Sequence, residues 1–93
     1  MADLTLGDFA PSLGETWDME AGGQTLPVEL IDASALRESG RPGGSFRLEF
    51  RGPPEFVAEQ GMHIFRRGGV EHEIFVCPIA RDEAGTRYEA IFY

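Results

Sequence analysis

The residues best suited to chemistry in this sequence lie in GGVEHEIFVCPI, residues 68–79. This stretch contains His72, Cys77, Glu71 and Glu73, whose side chains ligate metals or take part in nucleophilic catalysis elsewhere. Its alternation of apolar and polar residues predicts a β-strand, in which successive side chains point to opposite faces. Because His72 and Cys77 are an odd number of positions apart, we expect them on opposite faces, where they cannot share a metal ion or form a catalytic pair.

A second histidine keeps one alternative open. Gly68-Gly69 predicts a hairpin turn, and His63 lies on the strand that precedes it. If His63 faces His72 across the hairpin, nearby glutamates complete a small ligand set. Structural zinc sites, however, use about four ligands in paired short spacings, and this chain has one cysteine and no CxxC or HxxxH. We predict no metal site and no cofactor, and we keep a ligand- or metal-binding β-barrel as the alternative hypothesis.

Catalytic residues are not predicted either. Cys77 lies in the apolar sequence FVCPI, and such surroundings do not stabilise the thiolate that a nucleophilic cysteine needs. We expect it to behave as a small hydrophobic residue. None of the serines lies in a nucleophile-elbow pattern, and the chain has no phosphate-binding glycine loop and no EF-hand spacing. The prediction is therefore that the protein is not an enzyme.

Composition bounds the class of protein and its partners. The chain of 93 residues is long enough for one domain, residues 1–93, and its net charge of −8 opposes binding to nucleic acid or to anionic membranes. An acidic antagonist of a basic partner is a second alternative. The N-terminus has no signal-peptide pattern and no segment is long enough to span a bilayer, so we expect a cytoplasmic protein, with release as part of an assembly left open.

The predicted elements are mostly strands. The sequence from Thr5 to Leu13 predicts a short helix, with a capping box formed by Thr5 and Asp8 and with Phe9 and Leu13 on the core. About six short strands follow, with glycine-containing turns near residues 22–23, 68–69 and 85, a loop over residues 34–45 and a connection over residues 52–61 that Phe56 and Val57 anchor. This pattern predicts a mainly β domain, a small antiparallel barrel or compact sandwich with one short N-terminal helix and a mostly meandering order.

The last two strands are apolar on both faces, which is unusual for an antiparallel sheet in a small domain. One face needs a cover, and the two candidates are the N-terminal helix and another protein subunit. A strand that ends at the chain terminus also offers an edge for a neighbour. We therefore predict a non-catalytic structural or interaction module that binds itself or a protein partner. The predicted interface residues are Phe75, Cys77, Ile79, Ile91 and Tyr93.

Four stretches, DFAPSLGETW, FRGP, EQG and ARDEAGTRYEAIFY, resemble a family of small bacterial domains of unknown function over nearly the full chain. The family pattern D-F-x-P-x-x-G-x-x-[FW] … R-D-x-x-G-x-R-Y-E-A-x-F falls here on Asp8, Phe9, Pro11, Gly14 and Trp17, and then on Arg81, Asp82, Gly85, Arg87, Tyr88, Glu89, Ala90 and Phe92. The resemblance implies an association with phage-tail-collar-like proteins and hence with a virion-like or surface assembly. It implies no activity.

The second motif also has a physical interpretation. Asp82 is placed to cap the turn that Gly85 closes. Arg81 and Arg87 flank this turn, and we expect them to pair with Asp82, Glu83 or Glu89.

Overall fold

The computed structural model describes residues 4–36 and 45–92 of the chain. In these residues two 3-10 helices, Leu6–Asp8 and Ala10–Ser12, precede six strands. The strands are β1 (Thr16–Ala21), β2 (Gln24–Ala35), β3 (Phe46–Gly52), β4 (Gly61–Arg67), β5 (Val70–Asp82) and β6 (Gly85–Phe92). They form one closed antiparallel barrel in the order β1-β2-β3-β6-β5-β4, with β4 paired back to β1. Of the two predicted architectures, the barrel is the one observed.

The two longest strands, β2 and β5, each change their main pairing partner part-way along their length, and the barrel has no open edge among the described strands. β2 pairs with β1 through Glu29 and with β3 from Glu29 onward, with a register shift between Leu30 and Asp32. β5 pairs with β4 up to Val76 and with β6 from Cys77, with a shift between Pro78 and Ala80. Such bulges bend a strand and increase its twist, which lets it turn a corner of the barrel.

The strand order corrects the predicted meander. β3 pairs with β6 instead of β4, and β4, β5 and β6 follow one another as hairpins, which is a Greek-key arrangement. β6 therefore has neighbours on both sides, so the predicted free edge at the last strand does not exist in the described residues. Because β3 and β4 lie on opposite sides of the barrel, residues 53–60 must cross one of its ends.

The barrel interior holds the hydrophobic core, and strict alternation selects its members. β3 alternates between fully buried and half-buried residues along its whole length, as the sequence predicts. Burial of a large apolar side chain contributes about 1.5–3 kcal/mol, so this interior supplies most of the stabilisation of the small domain. The largest buried side chains include Trp17, Met19, Leu30, Phe46, Leu48, Phe50, Phe65, Ile74, Val76 and Tyr88.

The N-terminal segment closes one end of the barrel. Phe9 is fully buried, and its ring lies 5.8 Å from that of Trp17 and 6.0 Å from those of Phe46 and Phe92. The buried Ser12 hydroxyl donates to the Phe9 carbonyl (2.8 Å) and accepts a hydrogen bond from the Trp17 indole (3.1 Å). These contacts hold Phe9 as a plug between the strand ends.

The predicted short N-terminal helix is confirmed, and one detail of it is corrected. It consists of two consecutive 3-10 turns, with Pro11 in the second. Leu13 follows the second turn and is 52% exposed, so of the two residues predicted on the core only Phe9 is buried there. The predicted capping contact is present, since the Asp8 carboxylate accepts the Thr5 backbone N–H at 2.7 Å.

Residues 53–60 close the other end. Ala58, only 1% exposed, donates its N–H to the Tyr88 hydroxyl inside the barrel (2.9 Å), and the Thr86 hydroxyl lies 3.2 Å from the Pro53 carbonyl. Ala58 is therefore the main anchor of this connection. Of the two predicted anchors, the half-buried Phe56 packs against the core, whereas Val57 is 41% exposed.

The loop predicted over residues 34–45 is also partly wrong. Ser34 and Ala35 continue β2, because their backbones pair with Arg47 and Phe46 of β3. Residues 37–44 lie outside the described part of the chain. The glycine turns after β1 and β4 are confirmed, and Gly22, Gly23, Gly68 and Gly69 all have the positive φ that a two-residue hairpin requires.

Candidate interaction surface

The two histidines do not come together. His63 pairs with Ile74 across the hairpin, whereas His72 pairs with Phe65. The His63 Nε2 lies 2.7 Å from the Glu59 carbonyl, at the end closed by residues 53–60. The His72 ring lies 5.5 Å from Phe9, at the opposite end. The facing arrangement on which the ligand- or metal-binding alternative depends is therefore wrong.

His72 and Cys77 have the predicted opposite orientations. His72 shares its face with the buried Ile74 and Val76, whereas Cys77 shares its face with the exposed Phe75. Within residues 4–36 and 45–92, no group of three or more His, Cys, Asp or Glu is arranged to hold a metal ion.

The outer surface of β2, β3 and β6 carries a network of ion pairs. The Arg47 guanidinium contacts Glu89 and Glu49 at 2.6 Å and Asp32 at 3.0 Å. Hydrogen bonds first to Glu89 and then to Glu49 raise the pKa of Arg47 above its already high ordinary value, so this arginine stays charged. Arg51 pairs with Glu29 at 3.0 Å on the same side of the barrel. This side of the barrel is therefore covered largely by paired charged groups, although the buried Arg87 Nε has no hydrogen-bond partner.

The outer surface at the bend of β5 is apolar, and it adjoins this network because Cys77 pairs with Glu89 across the ladder. Phe75 is 49% exposed and lies directly across the hairpin from Met62, which is 56% exposed. Cys77 is half-buried, and Ile79, at the register shift, is 46% exposed. We call Met62, Phe75, Cys77 and Ile79 the β5 surface. It lies where β5 exchanges its neighbour β4 for β6, so it lies on a bend of the sheet.

The predicted internal cover of this surface is wrong. The N-terminal segment was the candidate cover. Its buried side chain, Phe9, instead enters the barrel end, where its ring lies near those of Trp17, Phe46, His72 and Phe92. Its other predicted contact residue, Leu13, is exposed. The exposure of Phe75 and Ile79 shows that the chain itself leaves the β5 surface in contact with solvent.

The structure brings together some of the predicted interface residues and adds one. Phe75, Cys77 and Ile79 share the outer side of β5, as expected. Ile91 is half-buried and pairs with Arg47, next to the charged network. Tyr93 lies outside the described residues. Met62 was missed, although counting back from the Gly68-Gly69 turn pairs it with Phe75.

The predicted arginine pairs at the last turn are different from those observed. The Arg81 Nε donates to the Pro54 carbonyl at 2.7 Å, and Arg87 lies 3.7 Å from Glu49. Arg81 thus ties β5 to the connection that closes the barrel. The cap is as predicted, because Asp82 accepts the Ala84 backbone N–H at 2.9 Å.

Two shallow grooves mark the surface elsewhere. A groove of about 420 Å³ runs between the β1–β2 turn and the connection 53–60, lined by Gly22, Phe56, Val57 and His63 among others. A second, of about 350 Å³, lies beside the Gly68-Gly69 turn, where Arg66 is paired with Glu20 and Glu71. Hydrogen bonds to Glu71 and Glu20 raise the pKa of Arg66. In both grooves the polar side chains named already have partners within the protein.

No helix in the described residues has the length and apolar character needed to cross a membrane. Comparison with known proteins gives no match among curated proteins and none among solved structures. One family model, described as a domain of unknown function, matches residues 4–92, which span the two 3-10 turns and all six strands. The chain therefore belongs to the DUF6916 family of domains of unknown function.

Proposed function

We propose that the protein is a non-catalytic interaction module that binds a protein partner through the β5 surface. The observation that carries the proposal is the direct pairing of the exposed side chains of Phe75 and Met62, continued along β5 by Cys77 and Ile79. Aromatic and methionine side chains are enriched at protein interfaces, where their burial dominates the binding energy.

The architecture supports this proposal because it offers a rigid platform. Both barrel ends are closed by residues of the chain itself, and every strand is paired on both sides. An interface that forms on such a surface loses little conformational entropy, since the backbone is already fixed. Contiguous exposed apolar side chains on an otherwise polar surface commonly mark an interaction site.

The net charge of −8 supports a protein partner over nucleic acid, whose phosphates would be repelled. A module of this kind suits a larger assembly. The phage-tail-like or surface assembly implied by the sequence resemblance is the setting that we propose. Ile91 is proposed to lie at the margin of the interface.

Selection of displayed random peptides on the purified protein tests this function. The informative variant is Phe75→Ser, and the matched control is Leu13→Ser, which removes a side chain of similar exposure from the segment between the second 3-10 turn and β1. We expect enriched peptides to bind the native protein and Leu13→Ser alike, and to lose about tenfold or more in affinity with Phe75→Ser, as interface aromatics do.

Thermal unfolding is measured on the same variants. Loss of the Phe75–Met62 cross-strand pair costs about 0.2–1 kcal/mol, so Phe75→Ser remains folded. If every enriched peptide binds Phe75→Ser and the native protein with equal affinity, the β5 surface is not the binding site.

A further inference from the structure

The distribution of charge around the β5 surface indicates the chemistry of its partner. Six of the chain's arginines lie in residues 4–36 and 45–92, and five of them, Arg47, Arg51, Arg66, Arg67 and Arg87, form ion pairs with carboxylates of the chain. The sixth, Arg81, donates to a backbone carbonyl. Five of the described arginines are thus paired with carboxylates, Arg81 keeps a positive charge without an acidic partner, and the negative excess resides on carboxylates without a basic partner.

Several of these carboxylates flank the β5 surface. Glu73 is exposed on the same side of β5 as Phe75, two positions earlier, which on a strand is about 7 Å away. Asp82 and Glu83 are exposed and follow Ile79 at the far end of β5. Within the described residues none of these three forms an ion pair, although Asp82 caps its own turn. An apolar centre is therefore bordered by the unpaired Glu73 at one end and, at the other, by Asp82 and Glu83, whose two negative charges outweigh the single positive charge of Arg81.

We infer that the partner of the β5 surface presents apolar side chains flanked by arginine or lysine. This inference rests on the proposed function and specifies its partner. Basic groups on the partner would face Glu73, Asp82 and Glu83, and complementary charge at the rim of an interface directs encounter and excludes wrong partners. A second copy of the chain would bring a further net charge of −8 and the same three acids, so charge opposes self-association.

The test uses the peptides that depend on Phe75. We expect their net charge to be positive, with basic residues on either side of an apolar segment. One such synthetic peptide is then titrated against the protein at about 50 mM and about 300 mM salt, because screening weakens attraction between exposed charges. The expected result is weaker binding at the higher salt.

Glu73→Gln is the informative variant, and Asp18→Asn is its control. Asp18 is exposed on β1, where it pairs with Arg66 across the ladder, two strands from β5. We expect Glu73→Gln to weaken peptide binding roughly two- to fivefold, the range for an exposed ion pair, and to reduce the salt dependence. We expect Asp18→Asn to change neither the affinity for the peptide nor its dependence on salt.

Three results would overturn the inference, and they can be told apart. The charge argument is contradicted if the peptides that depend on Phe75 are neutral or acidic. It is also contradicted if neither salt nor Glu73→Gln changes their affinity. In both cases the proposed function still stands. A dimer in light scattering that Phe75→Ser dissociates identifies a second copy as the occupant. Failure to enrich any peptide that depends on Phe75 overturns the proposed function together with the inference.

Discussion

Tyr88 provides a sharp test of how the barrel is closed. Its side chain is fully buried on β6, and its hydroxyl accepts the backbone N–H of Ala58 at 2.9 Å and lies 3.4 Å from the carbonyl of Phe56. The phenol group thus holds Ala58 and Phe56 of the connection 53–60, alongside the hydrogen bonds from Thr86 and Arg81 to the same connection. The substitution Tyr88→Phe keeps the ring and removes only this tether.

The expected loss of stability in Tyr88→Phe follows from the buried N–H group that the substitution leaves without a partner. Ala58 is 1% exposed, so its N–H remains buried without an acceptor, which costs about 1–3 kcal/mol. For a domain of this size, 1 kcal/mol lowers the melting temperature by roughly 4–8 °C. We therefore expect Tyr88→Phe to melt about 5–20 °C below the native protein.

Urea unfolding and amide hydrogen exchange measure this effect together. We expect a lower free energy of unfolding and faster exchange at Ala58, while amides of the β4–β5 hairpin keep their relative protection. Ser34→Ala is the control, because the Ser34 hydroxyl donates to Asp32 on the half-exposed outer surface. We expect this substitution to change the free energy of unfolding by no more than about 0.5 kcal/mol. Native stability and unchanged exchange at Ala58 in Tyr88→Phe would refute the tether.

Two further substitutions test the turn and the plug. A Cβ at Gly85 (φ 145°) would collide with the Gly52 carbonyl and lie 2.8 Å from Arg51 Cγ, so Gly85→Ala should cost about 3 kcal/mol or more in urea unfolding. A Cβ at Gly14 would have no atom within 4 Å, so Gly14→Ala should cost only about 1–2 kcal/mol, for its positive φ. Equal losses of unfolding free energy in Gly85→Ala and Gly14→Ala would contradict this account. Phe9→Ala should cost about 3–5 kcal/mol and shift the fluorescence of Trp17, whose ring is 5.8 Å away. An unchanged emission spectrum and a loss below about 1 kcal/mol would show that Phe9 is not a plug.

Much of the barrel could be predicted from the sequence because its strands alternate. The segment FRLEF places Phe46, Leu48 and Phe50 inside by period-two counting alone, and paired glycines locate two of the hairpins. The pairing of β3 with β6 could not be predicted in this way. Alternation determines which face is buried, but it contains no information on which distant strand lies alongside.

Bulges and tertiary hydrogen bonds account for other differences. Ser34 and Ala35 have low strand preference, but β3 supplies their backbone partners and so extends β2 past the predicted end. The capping box at Thr5 and Asp8 was recognisable, whereas the position of Leu13 depended on how the 3-10 turns end. The outward positions of Phe75 and Cys77 were predictable from alternation because both precede the register shift, whereas Ile79 lies at the shift itself.

The central claim is that the β5 surface binds the partner. Chemical-shift mapping by NMR, with one selected peptide titrated into the labelled protein, tests it most directly. We expect the largest shifts at Met62, Phe75, Cys77 and Ile79, with Leu13 and the Arg51–Glu29 pair unaffected. Shifts concentrated at Leu13 or at the Arg51–Glu29 pair, with the β5 surface unchanged, would contradict the account.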